Sequence, residues 1–114
     1  MPQPDDRARL LHLIEGAEKA IAFAANRSRK DLDEDETLRL VLTKLVEIVG
    51  EAAKQVSDST QTAHPEIPWK RMARTRDRLV HHYFDINLDI LWDTVNDDLP
   101  MLLKAVKQIR IDQV

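Results

Sequence analysis

Apolar residues recur every three or four positions along four stretches of this chain, and no stretch alternates apolar with polar residues as a half-buried strand would. That period confines the chain to helices. Leu10, Ile14, Ala17, Ile21 and Ala24 form the first stripe, in a helix that Asp5 or Asp6 is suited to cap and that fades around residues 26–30. Leu38, Leu42, Leu45, Val49, Ala52 and Val56 form the second, between about Asp35 and Val56. Val41 and Ile48 widen it, which predicts a central helix. A third helix is predicted from about Pro68, a residue suited to a first helical turn, to His82 or a little beyond. Residues 57–67 before it read as a polar loop. The last stripe is Leu91, Val95, Leu99, Leu102, Val106 and Ile109, opened by Asn87 or Asp85 as a cap. Pro100 falls inside it. Proline has no N–H to donate and crowds the carbonyl four residues back, so this helix should kink or split near Asp98 and Leu99. With only two glycines, long helices joined by short loops are favoured. The expected fold is all-α: an antiparallel bundle of four or five helices in one domain over residues 1–114.

The chain contains no cysteine, which removes disulfides, Cys-ligated zinc and thiol catalysis. No apolar run approaches the roughly 20 residues of a membrane span, and the N-terminus lacks the apolar core of a signal peptide. No membrane and a cytoplasmic location are expected. There is no HExxH, no P-loop and no compact carboxylate cluster outside one acidic run, so no metal or other cofactor is expected. That run, Asp31, Asp33, Glu34, Asp35 and Glu36, suits either the dipole at a helix start or a docking surface for a basic partner. Glu47 and Glu51 read as surface acids or as partners for arginines of the third helix. His12 and His64 read as ordinary helix and loop residues. Trp69 and Trp92 read as core or interface anchors rather than base-stacking platforms.

Charge singles out the third helix. The whole chain carries −3, so it is no general nucleic-acid binder. Yet residues 69–82 hold Lys70, Arg71, Arg74, Arg76 and Arg78 against Asp77 alone, a local balance of +4 that leaves −7 for the remainder. A basic face on an acidic body holds a polyanion locally. At about 100° per residue, Arg76 shares an arc with Met72, Ala73, Leu79, Val80 and Tyr83, while Lys70, Arg71, Arg74, Arg78 and His82 lie opposite. A buried unpaired charge is costly, so Arg76 should face a cleft, a carboxylate or an interface. His81 falls about 140° from Arg76 on an ideal helix. Either the helix unwinds near Val80, or a second protomer supplies the missing half of a site. Asp77, four residues before His81, is placed to orient the ring or raise its pKa, or is an ordinary surface acid. These residue types suit RNA cleavage without a metal. A histidine moves the proton of the 2′-hydroxyl or of the leaving oxygen, and an arginine stabilises charge on the phosphoryl oxygens. Lys70, Arg71, Arg74 and Arg78 suit contacts to the RNA backbone.

The order Ile67-Pro68-Trp69-Lys70, then Arg76-Asp77-Arg78-Leu79-Val80-His81-His82-Tyr83-Phe84, then Trp92 and Asp98-Leu99-Pro100, resembles the HepT family of HEPN-domain proteins. Glu47 and Gly50-Glu51-Ala52-Ala53 extend the likeness over most of the chain. The Arg-x4-His-x-Tyr motif stands intact as Arg76, His81 and Tyr83. The resemblance implies a HEPN-like helical homodimer. It implies an endoribonuclease toxin whose composite cleft takes Arg76 and His81 from both protomers, with Asp77 in support. It also implies a nucleotidyltransferase antitoxin of the MntA type that adds AMP to the motif tyrosine, here Tyr83. A bulky anion beside an RNA cleft would repel phosphate, which agrees with that form of neutralisation. The alternative is a non-catalytic HEPN adaptor that binds a nucleotidyltransferase and uses the same basic helix for binding only.

Overall fold

The structure, a computed structural model, describes residues 4–82 and 85–109, with the backbone alone for residues 4, 5, 76 and 80–82. Helix α1 (Pro4–Ala24) buries Leu10, Leu13, Ala17 and Ala20 at helical spacing. It ends before Asn26, whose φ of 62° lies in the left-handed region that asparagine tolerates. The acidic run then starts two helices rather than one. In α2 (Arg29–Glu34), Asp31 accepts the Ser28 N–H at 2.7 Å, and Asp35 caps α3 (Glu36–Gln55) by accepting the Leu38 N–H at 3.0 Å. Arg27 bridges the two caps, 3.4 Å from Asp31 and 2.8 Å from Asp35. These acids are spent on capping and ion pairing, as the helix-start reading expects.

Two expectations fail beyond α3. Residues 57–67 are not simply a loop, because they contain α4 (Asp58–Ala63). Asp6, expected to cap its own helix, is what holds α4 in place. Its carboxylate is 1% exposed and accepts the Ser57 N–H at 2.8 Å, the Ser57 hydroxyl at 2.6 Å and the Thr60 hydroxyl. These partners lie 51 and 54 residues away, beyond the reach of any local pattern. Gln61 completes the junction. Its Nε2 donates to the Val56 carbonyl at 2.9 Å, one of the carbonyls a helix end leaves open.

The third predicted helix is α5 (Trp69–Leu79), and it stops short of His82. Strands β1 (Val80–His82) and β2 (Asp85–Ile86) come next as a small antiparallel pair. Strands of three and two residues are too short to carry a period, so nothing in the residue pattern foretold them. Asn87 then caps α6 (Leu88–Asp93), accepting the Ile90 N–H at 3.1 Å. The expected break near Pro100 is present as a π-helical turn, Thr94–Asp98, that leads into α7 (Leu99–Lys107). The Leu99 N–H reaches back five residues to the Thr94 carbonyl. Proline has no N–H for a regular ladder, and the wider turn absorbs that gap.

Contacts at the ends fix the directions. Asp6 meets Ser57 at one end of α3, and Arg27 meets Asp35 at the other, so α1 runs antiparallel to α3. Helix α5 also runs antiparallel to α3 and packs on a separate side of it. The Trp69 indole donates to the His64 carbonyl at 3.0 Å beside α4, and Arg29, next to the start of α3, reaches Asp89 at 2.9 Å. Helix α6 packs on α2, α3 and α5, whereas α7 packs on α1. The core between them contains Leu10, Leu13, Leu42, Val46, Met72, Leu79, Leu91, Leu99 and Leu102. The all-helical bundle is therefore present, as four long rods with α6 and α7 continuing through the π turn, plus two short helices and the hairpin. Among the described residues no helix is long and apolar enough to cross a membrane.

Candidate active site

Helix α5 is fixed in rotation by Trp69, Met72, Thr75 and Leu79, all buried. Thr75 is accommodated because its hydroxyl donates to the Arg71 carbonyl at 2.8 Å. The helix lies close against α3 at Gly50, where a Cβ would stand 2.8 Å from the Met72 carbonyl oxygen. From Met72 the antiparallel course brings the backbone of Arg76, one turn further on, level with Val46 and Glu47 of α3. Lys70, Arg74 and Arg78 are exposed at four-residue spacing and form one basic row. Asp77 is exposed beside them. Arg71, grouped with the row by sequence, is different: its guanidinium lies 3.3 Å from Asp98 in the π turn. Part of its charge is thus already answered within the molecule.

The chain leaves helical geometry between Leu79 and Val80, so the 140° separation of Arg76 and His81 on an ideal helix does not apply. The helix does unwind near Val80, one of the two solutions that the sequence left open. The Asn87 N–H takes up the Leu79 carbonyl at 2.8 Å and closes the corner. Val80 pairs with Ile86 and His82 with Asp85, with an irregularity in register between them. His81 is the extra residue of that step. Bulges bend a strand and re-aim the residue they carry, and they recur beside active sites. The same corner removes the helical i,i+4 relation between Asp77 and His81 that the sequence suggested. Tyr83 lies outside the described residues, as do the side chains of Arg76, His81 and His82.

Sequence reasoning missed the supports of this corner. Arg29 joins α2 to the first turn of α6 through Asp89, and its second partner is Asp33 at 3.1 Å. The Asp89 and Asp33 hydrogen bonds hold its pKa above the usual value. Asn87 both caps α6 and closes the corner. Only the cap was visible as a local signal.

Grooves flank the bundle. One, of about 300 Å³, lies between α1 and α3 and is lined by residues that include Arg9, His12, Lys44, Glu47 and Glu51. Glu51 is exposed and Glu47 half-buried, both on the wall of this groove. Another, of about 380 Å³, lies between α5 and α7 beside Arg71, Met72, Asp98 and Met101. Among the described residues no group of three or more His, Asp or Glu side chains is placed to hold a metal ion. Trp69 is a core residue, and Trp92 packs at the core's edge.

The Arg-x4-His segment thus spans a helix-to-strand corner of an all-helical bundle. The profile of the family described as "Ribonuclease HepT-like" matches residues 13–109, and the chain belongs to that HepT-like ribonuclease family. A candidate RNase of Methanocaldococcus jannaschii is 35% identical over 96% of this chain and 90% of its own length. A candidate ribonuclease HepT of Thermococcus cleftensis is 36% identical over 93% of this chain and 91% of its own. A candidate RNase of Caldanaerobacter subterraneus subsp. tengcongensis is 35% identical over 90% and 92%. No solved structure matches the chain.

Proposed function

We propose that this chain is a metal-independent endoribonuclease, the toxin of a toxin–antitoxin pair. It cuts RNA in a cleft shared by two protomers and is neutralised by a nucleotidyltransferase that adds AMP to Tyr83. The observation that carries the reading is the position of Arg76 and His81 on either side of the helix-to-strand corner, within a chain that belongs to a ribonuclease family over residues 13–109. The 2′-oxygen forms a bond to the adjacent phosphorus while the bond from phosphorus to the leaving 5′-oxygen breaks. His81 takes the 2′-hydroxyl proton or gives one to the 5′-oxygen. Arg76 stabilises the charge that grows on the phosphoryl oxygens. Asp77 supports this pair from the last turn of α5. Lys70, Arg74, Arg78 and, to a smaller extent, Arg71 bind the RNA backbone. Transfer of AMP from a nucleoside triphosphate to the Tyr83 oxygen releases pyrophosphate and leaves an anion where RNA phosphate must pass.

The test is incubation of the purified protein, shown by mass spectrometry to be free of AMP, with total RNA in EDTA. Wild type should cut. Arg76→Ala and His81→Ala should each cut at least ~10²-fold more slowly, the scale of one lost proton-transfer or oxyanion contact. Variants that cut at the wild-type rate would refute the assignment of these residues. A wild type that binds a nucleotidyltransferase and never cuts RNA would instead favour the adaptor.

A further inference from the structure

The groove between α5 and α7 combines an apolar interior with a charged rim. Buried Met72 and Leu102 form its floor. Met101 lines it too and, at 75%, is the most exposed of the large apolar side chains described. Glu66, Arg71 and Asp98 supply the charges. Neither carboxylate is saturated, since each offers about four acceptor positions. Asp98 meets Arg71 at 3.3 Å, and Glu66 meets His64 Nδ1 at 3.4 Å. The volume of about 380 Å³ is that of a site for a small planar group. Arg71 also joins the groove to the basic row. On an ideal helix it lies about 20° from Arg78 and about 60° from Arg74, so a polyanion held along the row passes the mouth of the groove.

We propose that this groove is a base subsite that takes a guanine of the bound RNA. The occupant must bring a planar apolar body, an edge of donors and a phosphate, and a nucleotide brings all three. Met101 and Leu102 cover the ring, the thioether being soft enough to pack on an aromatic face. The Glu66 carboxylate accepts from N1–H and the N2 amino group, two adjacent donors that guanine alone presents on its pairing edge. Adenine and cytosine set an acceptor beside their amino group, and uracil has one N–H between two carbonyls, so each would turn a lone pair towards the carboxylate. The adjoining phosphate meets Arg71. An acidic peptide would be repelled by Glu66 and Asp98, and an apolar helix would cover the rim charges without answering them. The subsite rests on the reading of this chain as an enzyme that cuts RNA, and it adds a sequence preference to that reading. Met72 lies about 12 Å before Val80 along α5. At roughly 3.4 Å or more per nucleotide of a strand, the guanine lies about two to four nucleotides from the bond that is cut.

Binding and cutting are measured apart. Fluorescence anisotropy compares short 2′-O-methyl oligonucleotides, which lack the attacking hydroxyl, with a single guanine, adenine or cytosine in a run of uridines. Wild type should bind the guanine strand roughly tenfold or more tightly than the others. Glu66→Ala and Met101→Ala change exposed side chains and should keep the helical circular dichroism. Each should bring the guanine strand down to the affinity of the rest. Sequenced ends of cut total RNA should show guanine enriched at that distance on one side of the cut, and Glu66→Ala should remove the enrichment. A wild type that binds every strand alike overturns the subsite even if RNA is cut, and so does a guanine preference that survives both substitutions. Losses of equal size on every strand make the groove a backbone contact and overturn it as well. A protein that prefers guanine through Glu66 and Met101 yet never cuts RNA keeps the subsite and sinks the nuclease reading.

Discussion

Asp6 shows how much one side chain contributes when it is buried with its partners complete. Its carboxylate gathers donors from the turn between α3 and α4, among them the Ser57 N–H and hydroxyl and the Thr60 hydroxyl, and so ties the first turns of α1 to the far end of α3. Asp6→Ala leaves a backbone N–H and two hydroxyls without their acceptor. It should destabilise the fold by about 2–4 kcal/mol in urea unfolding, the range for a broken buried network. Gly50 sets the opposite kind of limit. Gly50→Ala would push a methyl into the Met72 carbonyl, and rigid backbone cannot yield as a side chain does. A loss of roughly 1–3 kcal/mol is expected, with slower RNA cleavage because α5 moves off α3. Asp31 and Asp35 contribute to the acid response, as does Glu15, which the Lys19 hydrogen bond holds below its ordinary value. The Arg27 hydrogen bond and then the Leu38 N–H lower the Asp35 pKa from its ordinary 3.8, and the Ser28 N–H lowers that of Asp31. The folded state therefore binds these protons less readily than the unfolded chain. Their contribution is whole above the ordinary carboxylate range and is lost as pH falls through the lowered values. Stability should drop from about pH 4 downward, and Asp35→Asn should make that drop shallower.

At the scale of elements, the strand pair between α5 and α6 is the smallest piece of structure, and the proposed chemistry is placed on it. Two short strands hold little by themselves, so their position depends on the helices at both ends. Arg29 and Asp89 fasten the α6 end to α2. As an exposed pair they should contribute little to global stability. Asp89→Arg should therefore lower RNA cleavage several-fold with a small change in Tm, and the exchange Arg29→Asp with Asp89→Arg should recover the rate. The long elements were legible because their signals are local. Most of the stripes from Leu10, Leu38 and Leu91 is buried, with Ile14, Ile21 and Leu45 half-buried at their edges, whereas Ile48, expected to widen the second stripe, is exposed; Asp35 and Asn87 are caps, and Pro100 marks a true break. Local pattern could not supply Asp6 as a clamp on α4, Arg71 paired with Asp98 or Arg29 paired with Asp89, because each contact joins residues far apart in the chain. The corner at Val80 was half legible. Helical geometry alone set Arg76 and His81 apart, so unwinding was one of two answers the sequence left open, and the backbone shows that it occurs.

Across the whole molecule, charge is segregated. The row Lys70, Arg74 and Arg78 stands on a body that is otherwise acidic, so RNA affinity should be steep in salt. Reversing all three should weaken RNA binding and flatten the plot of log K against log salt by about two units, near 0.7 for each lost phosphate contact on a single strand. Arg71→Ala should cost less than Arg74→Ala, because Asp98 already occupies it. The π turn acts at this scale too, since α6 before it packs on α2, α3 and α5, and α7 after it packs on α1. Its wider loop takes up one surplus residue in the helical run. Excising one residue from 95–98 would make the Leu99–Thr94 bond an ordinary four-residue helical bond and leave Leu102 and Val106 facing α1 as before. Losing Pro100 from the regular helix instead would turn both side chains away from α1 by about 100°. Thermal melts of the two deletions should therefore differ, the first close to wild type and the second well below it, so that the turn is the one place in this run where a residue can be spared.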